Sequence, residues 1–159
     1  MARVLIVGCG CRGQGLAREL REDGHAVRGT TRAARRFAAI EAAGAEPYLG
    51  DPDRIATLME ALAGVTIVCW LMGTARGAPE LHDGRLRMLW EKLVDTPVRG
   101  VVYEAAGPLA PDRYARGREV AAAAHETWRI PLRVLDADPA DHAAWRKGAR
   151  LAVSSLLEG

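Results

Sequence analysis

Short runs of apolar residues alternate along the chain with longer segments in which apolar residues recur every three or four positions. The short runs predict six strands, and the longer segments predict six helices. Strands are expected near residues 3–7, 26–30, 46–49, 65–71, 98–103 and 131–135. Helices are expected near residues 13–22, 32–43, 52–62, 79–93, 112–128 and 140–157.

Most of the predicted strands are continuously apolar, as in Val4-Leu5-Ile6-Val7. This composition is typical of strands whose two faces are both covered by helices, so the sheet should be parallel. Strict alternation of strand and helix with right-handed crossovers gives a doubly wound α/β sheet, most simply in the order 3-2-1-4-5-6. A chain of 159 residues is enough for one such domain, which we expect to extend over residues 1–159.

The first predicted strand leads directly into a glycine-rich loop and then into a helix. The loop has the spacing G-x-G-x-x-G, formed by Gly8, Gly10 and Gly13. In this context Gly8 makes a tight turn, Gly10 lets the backbone approach a pyrophosphate, and Gly13 allows close packing of helix and strand. The loop, with Cys11 and Arg12 between its last two glycines, therefore predicts a Rossmann-type dinucleotide site at a helix N-terminus.

Two other interpretations of the loop stay open. It could be a glycine-rich turn that holds no ligand, or the loop of an S-adenosylmethionine-dependent methyltransferase. A methyltransferase usually has an acid just before the first glycine and another at the end of the second strand. This chain has Val7 and Thr31 at those places, which disfavours that alternative.

The end of the second strand indicates which dinucleotide would bind. NAD is normally held there by an Asp or Glu that binds the ribose 2′-hydroxyl, whereas the 2′-phosphate of NADP needs a cation and hydroxyls. The sequence offers Thr30, Thr31 and Arg32 and no acid, and Arg12 adds a second cation. NADP is therefore the expected cofactor, and NAD is less favoured.

With these motifs the sequence resembles the short-chain dehydrogenase/reductase superfamily, in particular its extended and atypical epimerase-like and NmrA-like members. The resemblance rests on the glycine loop and on three further segments that follow in the same order. These segments are 27–32, 44–51 and 62–68. The resemblance implies that Asp51 and Pro52 approach the adenine. It also implies that Trp70, Leu71 and Met72, at the exit of the fourth strand, line the cofactor.

The chain departs from this family where catalysis would occur. Active members carry a Ser at the end of the fifth strand and a Tyr-x-x-x-Lys on the next helix. Here alanines follow the fifth strand, and the helix offers Tyr114 and Arg118. Arg118 lies one helical turn beyond Tyr114, so the pair is the best candidate for a proton donor and its supporting cation.

Composition and charge argue against several kinds of partner and site. The formal net charge of +2 does not indicate a nucleic-acid partner, and no apolar run reaches the length of a membrane helix. The three cysteines and four scattered histidines show no metal-ligand spacing, so no metal is predicted, and the histidines are expected on solvated surfaces. The odd number of cysteines indicates a reducing, cytoplasmic location.

Two hypotheses on function remain. The first, which we prefer, is an NADPH-dependent oxidoreductase acting on a small carbonyl or hydroxyl compound. The second is a non-catalytic NADP-binding sensor, which the missing Ser and Lys favour. The sequence does not decide between a small-molecule substrate and none, and it leaves a homodimer open.

Overall fold

The computed structural model describes residues 2–76 and 78–159. Its centre is one parallel sheet of six strands in the order 3-2-1-4-5-6, which confirms the predicted fold class. The strands are β1 (Arg3–Val7), β2 (Ala26–Thr31), β3 (Glu46–Leu49), β4 (Ile67–Trp70), β5 (Gly100–Glu104) and β6 (Leu132–Leu135). The α-helices are α1 (Cys11–Glu22), α2 (Phe37–Ala42), α3 (Gly84–Leu93), α4 (Pro111–Trp128) and α5 (His142–Glu158).

Hydrophobic residues cover both faces of the sheet. Alternate residues of β1 divide between the faces: Val4 and Ile6 pack with α1, α2 and α5, whereas Leu5 and Val7 pack with α3 and α4. Burial on both faces explains why the central strands are continuously apolar in sequence. In the described part of the chain, no helix is both long and apolar enough to span a bilayer.

The predicted helix at 52–62 is wrong. Two 3-10 turns, Ile55–Leu58 and Glu60–Leu62, occupy this segment. The Thr57 hydroxyl accepts from the Asp51 amide, and its single proton is shared between the carbonyls of Asp51 at 3.0 Å and Arg54 at 2.7 Å. The Asp51 carboxylate accepts from the Asp53 amide. These local side-chain bonds compete with the regular helical ladder.

The predicted helix at 79–93 is interrupted. A 3-10 turn, Pro79–His82, precedes α3, and Asp83 between them has φ −143° and ψ −107°, outside the helical region. The His82 ring is buried and bonds to groups on β5 and on the loop after β4. Tertiary contacts of His82 therefore override the helical periodicity of this segment.

Parallel strands end at the same edge of the sheet, and the order reverses between β1 and β4. In doubly wound folds this edge, at the reversal point, is where ligands bind. The glycine loop after β1 lies there, with Thr31 at the end of β2 on one side and Met72 beyond β4 on the other.

Candidate dinucleotide site

A cavity of about 480 Å³ opens at this edge of the sheet. It lies along the whole glycine loop and extends from the end of β2 to the loop after β4. The predicted cofactor residues that line it are Gly8, Gly10, Cys11, Arg12, Gly13, Thr30, Thr31, Arg32, Asp51, Pro52, Leu71 and Met72.

The glycine loop has the geometry that the sequence predicts. Gly8 has φ +88°, and a Cβ there would lie 2.8 Å from the Leu71 carbonyl oxygen. A Cβ on Gly13 would lie 3.2 Å from both the Gly8 carbonyl and the Ile6 side chain, so α1 packs closely on β1. A Cβ on Gly10 would meet nothing within 4 Å. Gly10 therefore borders open space, as a residue in contact with a ligand should.

The N-terminus of α1 faces the cavity with its backbone donors. The helical ladder begins with the Gln14 amide donating to the Gly10 carbonyl. The amides of Cys11, Arg12 and Gly13 precede that bond and have no acceptor within the helix, and Gly10 provides no capping side chain. Such amides, together with the helix dipole, suit a bound phosphate.

The second strand supports the loop and ends in hydroxyl and guanidinium groups. The Gly8 amide donates to the Thr30 hydroxyl at 3.2 Å, and the Cys9 amide donates to the Thr30 carbonyl at 3.0 Å. Thr30 is buried, so its hydroxyl holds the loop, whereas Thr31 and Arg32 are open to the cavity.

Positive charge dominates the cavity wall. Five arginines line it, against the two carboxylates of Asp51 and Asp53. The Asp53 carboxylate pairs with Arg85, whose Nε lies 3.1 Å away. Across residues 2–76 and 78–159, none of the five arginines forms an ion pair. The arginines are Arg12, Arg32, Arg35, Arg36 and Arg76.

Buried polar side chains hold the loop after β4 at the other end of the cavity. His82 Nε2–H donates to the Met72 carbonyl at 3.0 Å, and its Nδ1 accepts from the Tyr103 hydroxyl at 2.6 Å. A carbonyl can only accept, which fixes the tautomer of the ring. Burial lowers the pKa of His82, so the ring is held neutral. The expectation that all histidines lie on solvated surfaces is wrong for His82.

Glu104, at the end of β5, is fully buried beside the same loop. Its carboxylate accepts from the Gly73 amide and from Trp145 Nε1–H, each at 2.7 Å. Burial raises the pKa of the Glu104 carboxyl, while these two hydrogen bonds and nearby Arg12 act in the opposite direction. Both partners are donors, which suits the ionised carboxylate.

The structure places Tyr114 in the core. Its hydroxyl donates to the Gly73 carbonyl at 2.6 Å and accepts from the Leu109 amide at 3.0 Å. Arg118 is exposed and donates to the Ala105 carbonyl at 3.4 Å. Neither side chain is among the described residues that line the cavity. The structure therefore does not bring Tyr114 and Arg118 together at the cavity, where a proton donor and its cation would face a bound cofactor.

Trp70 also requires a correction. The sequence places it at the exit of β4, and the resemblance implied contact with the cofactor. Its side chain is instead fully buried in the core on the α3 and α4 face, where Nε1–H donates to the Leu81 carbonyl at 2.9 Å. Leu71 and Met72, which follow the strand, are the residues that reach the cavity.

Glu104 and Trp145 belong to this region but are not among the residues that the sequence predicts to line the cofactor. Trp145 lies on α5, far along the chain, and its ring forms part of the cavity wall beneath the Arg12 guanidinium, 5.5 Å from the ring centroid. An acid at the buried end of β5 is the one signal that could have identified Glu104, because a buried carboxylate requires donors nearby.

Solved structures of NAD(P)-binding proteins share this fold. A putative NAD-dependent epimerase/dehydratase from Bacillus halodurans matches with a TM-score of 0.72 and 15% identity, over 86% of this chain and 70% of that chain. The UDP-glucuronic acid 4-epimerase of Bacillus cereus, solved with UDP-glucuronic acid and NAD, matches with a TM-score of 0.64 and 15% identity, over 84% and 55%. The triphenylmethane reductase of Citrobacter sp., complexed with NADP(H), matches with a TM-score of 0.64 and 20% identity, over 84% and 48%.

The present chain thus spans about half the length of the epimerase and of the reductase. No protein-family model matches the sequence. No curated protein matches it either. At 15–20% identity the structural matches establish the fold alone: the chain shares the fold of these NAD(P)-binding epimerase/dehydratase and reductase structures, as the resemblance predicts.

Proposed function

We propose that this chain binds NADP(H) across the cavity at the ends of β1, β2 and β4. The observation that carries the proposal is a wall of arginines that form no ion pair among the described residues, next to the N-terminus of α1, whose first amides have no acceptor within the helix. Guanidinium groups match phosphate oxygens in geometry as well as in charge. A ligand with several phosphates would therefore neutralise this wall.

The residues present fit the parts of the dinucleotide. The amides of Cys11, Arg12 and Gly13 would hold the pyrophosphate, and the open space beside Gly10 leaves room for it. Thr31 and Arg32 would hold the 2′-phosphate at the end of β2. Asp51 and Pro52 would lie against the adenine, and Met72 would border the opposite end of the cavity.

The choice of NADP over NAD rests on the end of β2. The lining residues there are Thr31, Arg32, Arg35 and Arg36, and none of them carries a carboxylate, the group that normally accepts from the ribose hydroxyl of NAD. The same lack of an acid argues against S-adenosylmethionine. Among the described lining residues, the acids are Asp51 and Asp53 beyond β3.

The activity we propose is NADPH-dependent reduction of a small carbonyl compound, or the reverse oxidation of a hydroxyl compound. When bound, the nicotinamide would supply or accept the hydride. The comparison proteins named as reductases and epimerases support this class of chemistry for the fold. The free cysteines Cys9, Cys11 and Cys69 support a cytoplasmic location as part of the same proposal.

A non-catalytic NADP-binding protein is the second candidate, and one observation favours it. The Tyr114 hydroxyl is already bonded to Gly73 and Leu109, away from the cavity. Such a protein would bind NADP(H) and respond to its concentration without converting a substrate.

Calorimetric titration with NADPH, NADH and S-adenosylmethionine tests the binding. NADPH should bind at least about tenfold tighter than NADH, a preference of about 1.4 kcal/mol, and Arg32→Ala should remove much of it. Arg18→Ala, on an exposed position of α1, is the matched control and should keep the preference. Equal affinities for NADPH and NADH, or tighter binding of NADH or S-adenosylmethionine, would overturn the proposal.

Turnover needs a separate measurement. The purified chain should oxidise NADPH, monitored by its absorbance, with at least one member of a panel of small aldehydes and ketones. If NADPH binds but no panel member is reduced above background, the non-catalytic candidate becomes the better account.

A further inference from the structure

The end of the cavity beyond β4 is built from a closed set of contacts, which we call the β4-end ring. Its members are Arg12, Gly73, Thr74, Glu104 and Trp145. Glu104 accepts from the Gly73 amide and from Trp145 Nε1–H. The Arg12 guanidinium lies over the Trp145 ring and donates from Nη2 to the Thr74 hydroxyl at 2.7 Å. Thr74 follows Gly73 in the chain, so the contacts close on themselves.

Glu104 is the member that joins the two walls of this end. One of its oxygens bonds to the loop after β4, and the other bonds to α5. The carboxylate has no exposed surface, so water cannot replace either donor. The loop also lies directly against it: a Cβ on Gly73 would be 2.7 Å from the Glu104 carboxyl carbon.

The described members of the ring that reach the cavity are Arg12, Thr74 and Trp145, whereas Glu104 lies behind them. We propose that Glu104 is a positioning residue that sets the β4 end of the cavity for the nicotinamide half of the dinucleotide. The inference rests on the proposed binding of NADP(H). Glu104 touches no ligand and acts through Gly73, Trp145 and Arg12.

The adenine half provides an internal reference. It would be held by Thr31 and Arg32, at the end of the cavity opposite the ring, and its 5′-phosphate would lie on the backbone amides of the glycine loop. Arg12 enters the ring only through its side chain. Adenosine 2′,5′-bisphosphate carries the adenine and the 2′-phosphate but no nicotinamide. A change confined to the ring should therefore weaken NADPH and leave this half-ligand unaffected, whereas a general loss of structure should weaken both.

Glu104→Gln tests the role with the least change in shape. An amide has one acceptor oxygen, so its NH2 must face either the Gly73 amide or the Trp145 indole, both of which are donors. We expect NADPH to bind at least about fivefold more weakly, while the affinity for adenosine 2′,5′-bisphosphate stays within about twofold. Glu60→Gln, which removes an exposed carboxylate outside the lining residues, is the control and should change neither affinity.

A double variant tests whether Glu104 acts through its hydrogen bond to Trp145. In Glu104→Gln the amide oxygen can still accept from Gly73, and the NH2 group then conflicts with Trp145 Nε1–H. Trp145→Phe removes that donor. If the two substitutions acted independently, the fold-losses of NADPH affinity in the single variants would multiply in the double variant. The double variant should instead lose less affinity than this product.

The outcomes separate the two proposals. If the wild-type chain binds neither NADPH nor the half-ligand, the proposed function fails. If the wild-type chain binds both and Glu104→Gln weakens neither or weakens both equally, the role of Glu104 is refuted while NADP(H) binding stands. If Glu104→Gln does not fold, the same comparison on Trp145→Phe decides: weakening of NADPH alone supports the inference, and equal effects on both ligands overturn it.

Discussion

Two glycines of the same loop should respond to substitution in opposite ways. Gly10 has φ −85°, a conformation open to any residue, and a Cβ there meets nothing within 4 Å. Gly8 has φ +88°, and its Cβ would overlap the Met72 side chain and lie 2.8 Å from the Leu71 carbonyl. We predict that Gly10→Val removes nucleotide binding from a folded protein, whereas Gly8→Ala destabilises the fold itself.

The structure sets the magnitudes. Gly10→Val loses the preference of the N-cap position for glycine over valine, so the free energy of unfolding should fall by about 1 kcal/mol. Its side chain would occupy the space that the pyrophosphate needs, so NADPH affinity should fall below detection. Gly8→Ala adds a left-handed backbone conformation, about 1–2 kcal/mol, to a steric overlap that requires Leu71 or Met72 to move. We expect a total loss of stability of at least about 2 kcal/mol.

The assay combines urea denaturation with calorimetric titration of NADPH on each variant. Gly24→Ala is a control for the left-handed backbone alone, because Gly24 has φ +90° with nothing within 4 Å of its added Cβ. Gly24→Ala should destabilise less than Gly8→Ala and should bind NADPH normally. Binding of NADPH by Gly10→Val as tightly as by the wild type, or unfolding of Gly10→Val while Gly8→Ala stays stable, would show that the two glycines do not have these roles.

Three further predictions follow from the buried groups and from the loop. Tyr114→Phe should lower the free energy of unfolding by about 1–3 kcal/mol, measured by urea denaturation, because Gly73 and Leu109 both lose a buried hydrogen-bond partner. Because burial lowers the pKa of His82 from 6.5, the unfolded chain binds a proton below that pH that the folded chain does not. The unfolding free energy of the wild type should therefore fall relative to that of His82→Gln from pH 7.5 to 5.5, by up to about 1.4 kcal/mol per pH unit. Cys11 is exposed at the cavity, whereas burial raises the pKa of Cys9 and Cys69 to about 12, so a thiol reagent should label Cys11 alone and NADPH should slow the labelling.

Each of these predictions has a contradicting result. Unchanged stability of Tyr114→Phe, together with a loss of turnover on an identified substrate, would return Tyr114 to the role of proton donor. A constant difference in stability between the wild type and His82→Gln across the pH range would mean that His82 is not held neutral; His142→Gln, at an exposed position, is the control. Labelling of Cys11 at the same rate with and without NADPH would place the ligand elsewhere.

The sheet could be predicted because its signal is local. Continuous apolar strands and the alternation with helices depend on burial on both faces, and residues such as Val4 and Ile6 carry that signal directly. The segment 52–62 could not be predicted in the same way. Its apolar spacing resembles that of a helix, but the bonds of the Thr57 hydroxyl to nearby backbone groups stabilise 3-10 turns instead.

The same distinction between local and tertiary signals applies to the candidate site. The glycine loop, Thr31 and Arg32 lie next to strand ends, so their convergence follows from the topology. The contacts of three other residues depend on the direction in which each buried side chain points. These residues are Tyr114, His82 and Glu104. Tyr114 and His82 turn toward backbone groups of the loop after β4, and Glu104 reaches across to a tryptophan 41 residues away. Spacing along the chain contains no information on these contacts.

A crystal structure of the chain grown with NADP+ would test the central claim most directly. Density for the dinucleotide should extend across the cavity, with the pyrophosphate on the amides of Cys11, Arg12 and Gly13. The 2′-phosphate should lie within hydrogen-bond distance of Thr31 and Arg32, and the nicotinamide should lie toward Met72 and Thr74. A cavity without nucleotide at saturating NADP+, or a nucleotide bound elsewhere on the chain, would show that this cavity is not an NADP(H) site.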